Sequence, residues 1–103
     1  MTNKIVHPTP EEYERVSAVI TLYRPEGITA VIDDTRSTEY TIVAHLDNQY
    51  NHPIVISVTI LPDGIVTTNV GIAFSSVDAF CCGFWSVDWF HFSTSANDVT
   101  PLI

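Results

Sequence analysis

Two periods organise this chain. Behind Thr9-Pro10-Glu11-Glu12, the apolar residues Tyr13, Val16, Ile20 and Tyr23 recur at helical spacing, with Glu14, Arg15 and Ser17 between them. That stripe predicts an amphipathic helix. Its start is well marked: Thr9 suits the N-cap, Pro10 the first helical position, and Glu12 the closing position of a capping box. Arg24-Pro25-Glu26-Gly27 then ends it.

From Ile28 to Phe74 the period falls to two. Ile28–Ile32 is rich in β-formers and ends at Asp33-Asp34-Thr35-Arg36, a turn composition. Tyr40, Ile42, Ala44 and Leu46 alternate with Thr41, Val43 and His45, and residues 47–53 form the next loop. A third run places Ile54, Ile56, Val58 and Ile60 on one face, and a fourth, residues 65–74, does so with Val66, Val70, Ile72 and Phe74. Between these two, Leu61-Pro62-Asp63-Gly64-Ile65 suits a type I turn followed by a left-handed glycine. That turn pairs Leu61 with Ile65, Ile60 with Val66 and Ile56 with Val70, so both apolar sets share one side of the sheet.

Ser75-Ser76-Val77-Asp78 marks a second helix start, with capping-box spacing from Ser75 to Asp78. The helix is expected to run to about Phe90, although Gly83 interrupts it and residues 84–92 also fit a fifth strand. The predicted fold is α+β: a four-stranded antiparallel meander with an N-terminal and a C-terminal helix on one face, in the order α-β-β-β-β-α. Residues 1–103 read as a single domain, with an ordered core at about 8–94, a short leader and a C-terminal tail.

Composition narrows the possibilities. Hydrophobic residues are 46% of the 103 and charged residues 16%, enough to build a core. Acidic residues number 12 against 4 basic ones, giving a formal net charge of −8. Such a surface repels nucleic acid and anionic membranes and favours basic partners. The N-terminus lacks the charged-then-apolar layout of a signal peptide, and the apolar segment 77–92 is too short to span a bilayer. Cys81 and Cys82 are neighbours and cannot staple distant parts of a fold. The expected compartment is therefore the cytosol.

Little in the sequence resembles a reaction centre. No nucleophile elbow or Cys/His signature is visible, and Gly27, Gly64, Gly71 and Gly83 are too scattered to cradle a phosphate. The adjacent cysteines lack zinc-ligand spacing and read as small buried hydrophobes. His45, Asp47 and His52 flank one loop, but their spacing matches no familiar metal site, and His91 with Asp88 reads as a helix-surface contact. No cofactor or metal is expected.

Two features point to contact with another macromolecule. The first is the aromatic segment 80–92, in which a continuous helix places Trp85 and Trp89 four apart on one face. That face reads either as core or as an interface, including a seam between two copies of the chain. The second is the acidic set Glu11, Glu12 and Glu14 on the first helix with Asp33, Asp34 and Glu39 near the first strand turn. Should these share a side, they would imitate the phosphates of a duplex and occupy a basic groove; a solvated face is the ordinary alternative. Phage-encoded inhibitors of host defence (anti-CRISPR and anti-restriction proteins) and toxin-immunity proteins are often small, acidic and motif-poor in the same way, a likeness of composition only. The expected function is thus a non-enzymatic protein that blocks a basic or nucleic-acid-binding protein, with Trp85, Trp89, Glu11, Glu12, Glu14, Asp33 and Asp34 as candidate contacts. The alternative is an oligomeric small-ligand protein with a pocket between Tyr13, Tyr23, Tyr40 and the aromatic segment.

Overall fold

The computed structural model describes residues 6–50 and 53–92. Helix α1 spans Pro10–Thr21, and strands β1 Thr29–Ile32, β2 Thr41–Asp47, β3 Ile54–Ile60, β4 Val66–Thr68 and β5 Ala73–Phe74 follow. Helix α2, Val77–Gly83, leads into two 3-10 turns, Phe84–Ser86 and Trp89–Phe92. The strands form one antiparallel sheet in the order β1-β2-β3-β4-β5. The fold is α+β, with five strands where the alternation predicted four.

Helix α1 begins as its sequence dictates. The Thr9 side chain accepts from the Glu12 N–H, the Glu12 carboxylate accepts from the Thr9 N–H, and Pro10 fills the first position. Val16, Val19 and Ile20 are buried against the sheet. The helix stops at Thr21, so Tyr23, predicted on the apolar face, is 72% exposed.

The β3–β4 hairpin has the predicted register. Gly64 takes a φ of 94° and donates to the Leu61 carbonyl at 2.9 Å, and Leu61 N–H reaches Ile65 O at 2.8 Å. Ile60 faces Val66, but the ladder ends at Val58–Thr68, so the expected Ile56–Val70 pair does not form. Asn69 explains the break. Its side-chain oxygen accepts from Ser57 N–H at 3.0 Å and its side-chain nitrogen donates to Val55 O at 3.1 Å. The chain then turns at Gly71, φ 85°, and returns as β5. One predicted strand is thereby split into two, while Val70, Ile72 and Phe74 still pack on the core.

Helix α2 starts one residue later than predicted, on Ser76, whose hydroxyl accepts from Ala79 N–H at 3.0 Å. It ends at Gly83 rather than near Phe90. A Cβ at Gly83 would lie 3.2 Å from the Phe74 ring, so a side chain here would crowd that ring, and glycine also weakens the helix. Beyond it the backbone extends at Val87, φ −93° and ψ 137°, which re-aims everything that follows.

One core results. Ile42, Ala44, Leu46, Ile54, Ile56, Val58, Ile60 and Val66 line one face of the sheet, and Val16, Ile20, Phe80, Phe84 and Trp89 cover it. Val43 and Val55 form a small second cluster on the opposite face. Among the described residues no helix is long and apolar enough to cross a membrane.

Candidate functional site

The predicted contact residues separate into three groups. Trp89 belongs to the core: it is 1% exposed, its ring stacks on Phe84 at 4.8 Å, and its indole N–H donates to Phe84 O at 2.6 Å. It is not offered to a partner. Trp85 is half-buried, and its indole N–H donates to Val19 O at 2.6 Å, tying the first 3-10 turn to α1. The shared Trp85–Trp89 face vanishes because the helix that would create it ends at Gly83. Phe80 and Phe84 are also in the core, whereas Trp85 and Phe90 are half-buried, so the described aromatics divide between core and surface.

Glu12 and Asp33 are engaged within the chain. Glu12 Oε1 lies 2.9 Å from Thr9 N and 2.7 Å from His7 Nδ1. Burial opposes ionisation of this carboxyl, but the Thr9 N–H and the His7 ring outweigh it and hold its pKa below the ordinary value. Beside it, His7, Arg15, Asp63 and Asp78 line a polar cleft of about 260 Å³ between α1, the β3–β4 turn and α2. Arg15 and Asp78 pair across that cleft at 2.8 Å, both largely exposed, which is worth little.

Asp33 accepts from the Thr35 hydroxyl at 2.6 Å and lies 2.8 Å from His45 Nε2. The Thr35 hydroxyl first, and His45 second, lower its pKa to about 2. Both carboxyls therefore bind protons less readily in the folded state than in the unfolded chain. Their contribution to stability is complete above the unfolded carboxylate range, roughly pH 4, and is lost as pH falls towards the folded value. The thermal midpoint should fall between pH 4 and pH 2, and Asp33→Asn should flatten part of that slope. Equal slopes in the two proteins would show that the Asp33 contacts do not form in solution.

The remaining acids converge. Glu11 and Glu14 of α1 and Glu39 of the β1–β2 connection line an open groove of about 730 Å³ together with Pro8, Thr9, Pro10, Tyr13 and Thr38. The groove exists because the Tyr13 hydroxyl donates to Thr38 O at 3.0 Å, binding the long β1–β2 connection to the first turns of α1. Burial and the charge of Asp34 push the Tyr13 phenol up, which brings Asp34 into the same negative field. Among the described residues no Lys, Arg or His lines this groove. Sequence reasoning named Glu11, Glu14 and Asp34 but missed Tyr13 and Thr38 as the link between the two acidic stretches. A bond across 25 positions leaves no local signal.

Among the described residues, the tyrosines expected to share a pocket part company. Tyr13 lines the acidic groove, whereas Tyr23 lines a separate groove of about 490 Å³ with Val19, Cys81, Cys82 and Trp85. The two tyrosines lie at opposite ends of α1, and Tyr40 lines neither groove. Burial raises the pKa of the half-buried Cys81 thiol, and Cys82 is exposed beside it. His45 pairs with Asp33 rather than Asp47, and His52 lies outside the described residues. Among the described residues no group of three or more His, Cys, Asp or Glu is placed to hold a metal ion.

No family model, curated protein or solved structure matches the chain. The functional reading therefore rests on the groove and the charge around it.

Proposed function

We propose that this chain is a non-enzymatic binding protein, acting in the cytosol, that blocks a basic protein such as one whose ordinary ligand is nucleic acid. The observation that carries the reading is the groove between α1 and the β1–β2 connection. The apolar and aromatic side chains Pro8, Pro10 and Tyr13 line it together with the carboxylates Glu11, Glu14 and Glu39, with Asp34 nearby. That combination suits arginine and lysine side chains: the stems cover proline and tyrosine carbons while the charged heads meet carboxylates. The net charge of −8 steers a basic partner towards the surface before contact. Phage-encoded inhibitors of host defence and toxin-immunity proteins share this small, acidic composition.

The test is capture of partners from a host lysate at low and high salt, followed by titration with an arginine- and lysine-rich peptide. Glu14 and Glu39 are the residues to reverse, because both are exposed and outside the first helical turn, where Glu11 and Glu12 support the helix dipole. Glu14→Lys with Glu39→Lys should weaken binding about tenfold, with the melting temperature nearly unchanged. Binding that ignores both salt and these substitutions would overturn the assignment.

A further inference from the structure

We infer that the β1 edge of the sheet is a self-association surface, on which a second copy of this chain pairs antiparallel through its own β1. Register places the main-chain groups. Asp33 N–H donates to Val43 O at 2.8 Å, and the β1–β2 partners include Thr29–Asp47 and Val31–His45. In an antiparallel ladder every second residue bonds one neighbour, so Thr29 and Val31 bond β2 while Ala30 and Ile32 direct their N–H and C=O groups away from it. No further strand lies on that side among the described residues, because β1 ends the order of the sheet.

Natural edges are ordinarily guarded by lysine, proline, a bulge or an inward-pointing charge. β1 is short, at four residues, but Thr29-Ala30-Val31-Ile32 carries no lysine, proline or charge, and its register with β2 is unbroken. Two copies related by a two-fold axis at Val31 exchange hydrogen bonds between Ala30 of one and Ile32 of the other. The two Val31 residues then face each other in the non-hydrogen-bonded position, where side chains approach most closely. Val31 is 63% exposed in the single chain, so the pairing removes an apolar side chain from water at its centre.

The charges at the two ends of the strand are complementary under the same symmetry. Arg24 donates through Nε to Ile28 O at 3.0 Å, which fixes its guanidinium at the start of β1. The Asp33–Asp34 turn lies at the other end. Antiparallel pairing carries the acidic turn of each copy to the Arg24 end of the other. A strand from an unrelated protein needs its own complement to this pattern, whereas a second copy supplies it automatically.

The experiment is sedimentation velocity over a concentration series, up to the solubility limit, together with amide exchange on the same samples. The expected result is a weak monomer–dimer equilibrium. Ala30 and Ile32 N–H should become more protected as concentration rises, while Thr29 and Val31, already bonded to β2, should not change. Val31→Lys sets like charges opposite each other and should weaken the dimer about tenfold. Asp34→Lys should also weaken it, and Arg24→Asp on that background should restore it, which keeps the test open if Val31→Lys disturbs folding. A monomer at every concentration would overturn the inference, as would a dimer indifferent to Val31 and Asp34 or one that leaves Ala30 and Ile32 unprotected. Failure of the acidic groove to bind basic partners would leave it untouched, since β1 lines no part of that groove.

Discussion

Trp89→Ala should cost about 3–5 kcal/mol of folding stability, a large share of what a domain this size possesses. The ring is among the largest fully buried side chains, and it stacks at 28° on Phe84, itself packed against Phe80 at 4.8 Å. Removing it opens a cavity against Phe84, where the aromatic rings meet, and leaves the Phe84 carbonyl without the indole donor. Trp89→Phe keeps one six-membered ring but loses the indole N–H and the buried volume of the second ring, so a smaller cost of about 1–3 kcal/mol is expected. Trp85→Ala should fall below Trp89→Ala, because Trp85 is only half-buried and can collapse towards solvent. Denaturant unfolding of the three variants would order them. A Trp89→Ala protein as stable as the parent would mean that the ring is not in the core, and Trp89 would return to the list of candidate contacts.

That ordering bears on what the sequence can disclose. Where one short segment determines its own geometry, the reading and the structure agree: Thr9, Pro10 and Glu12 form the predicted cap, and Pro62-Asp63-Gly64 forms the predicted hairpin turn. Trp89 is different. Its direction depends on how many residues of α2 precede the break, and Gly83 together with the extended Val87 swings the ring inward by an amount no periodicity encodes. The acidic residues divide by the same principle. Glu12 and Asp33 sit where capping and Asx-turn chemistry engage them locally, so their internal bonds were readable in advance. The convergence of Glu11 and Glu14 with Glu39 depends on Tyr13 reaching Thr38, a contact made only once sheet and helix have packed.

The same distinction explains β4, and it yields a second large effect. Asn69→Ala should cost roughly 2–4 kcal/mol, since each buried polar group left unpaired costs about 1–3 kcal/mol. The periodicity of residues 65–74 predicted one strand, in which the main chain of β4 would serve β3 throughout. Instead the β4 main chain supplies one last bond, Asn69 N–H to Ser57 O at 3.1 Å, before it turns away. The Asn69 amide then stands in for the missing strand, accepting from Ser57 N–H and donating to Val55 O. Both groups belong to β3, the central strand, every residue of which is buried, so water is a poor substitute once the amide is removed. Asn69→Asp keeps the acceptor for Ser57 N–H but replaces the donor to Val55 O with a carboxylate oxygen, so it should rescue only part of the loss. Amide exchange provides a local check beside the unfolding curve: the Ser57 N–H should exchange faster in Asn69→Ala, while Leu61 N–H, held by Ile65 O in the intact hairpin, should not. If Asn69→Ala unfolds with the parent's midpoint and Ser57 stays protected, then β4 continues past Thr68 in solution, and the single strand predicted by the alternation is the better description.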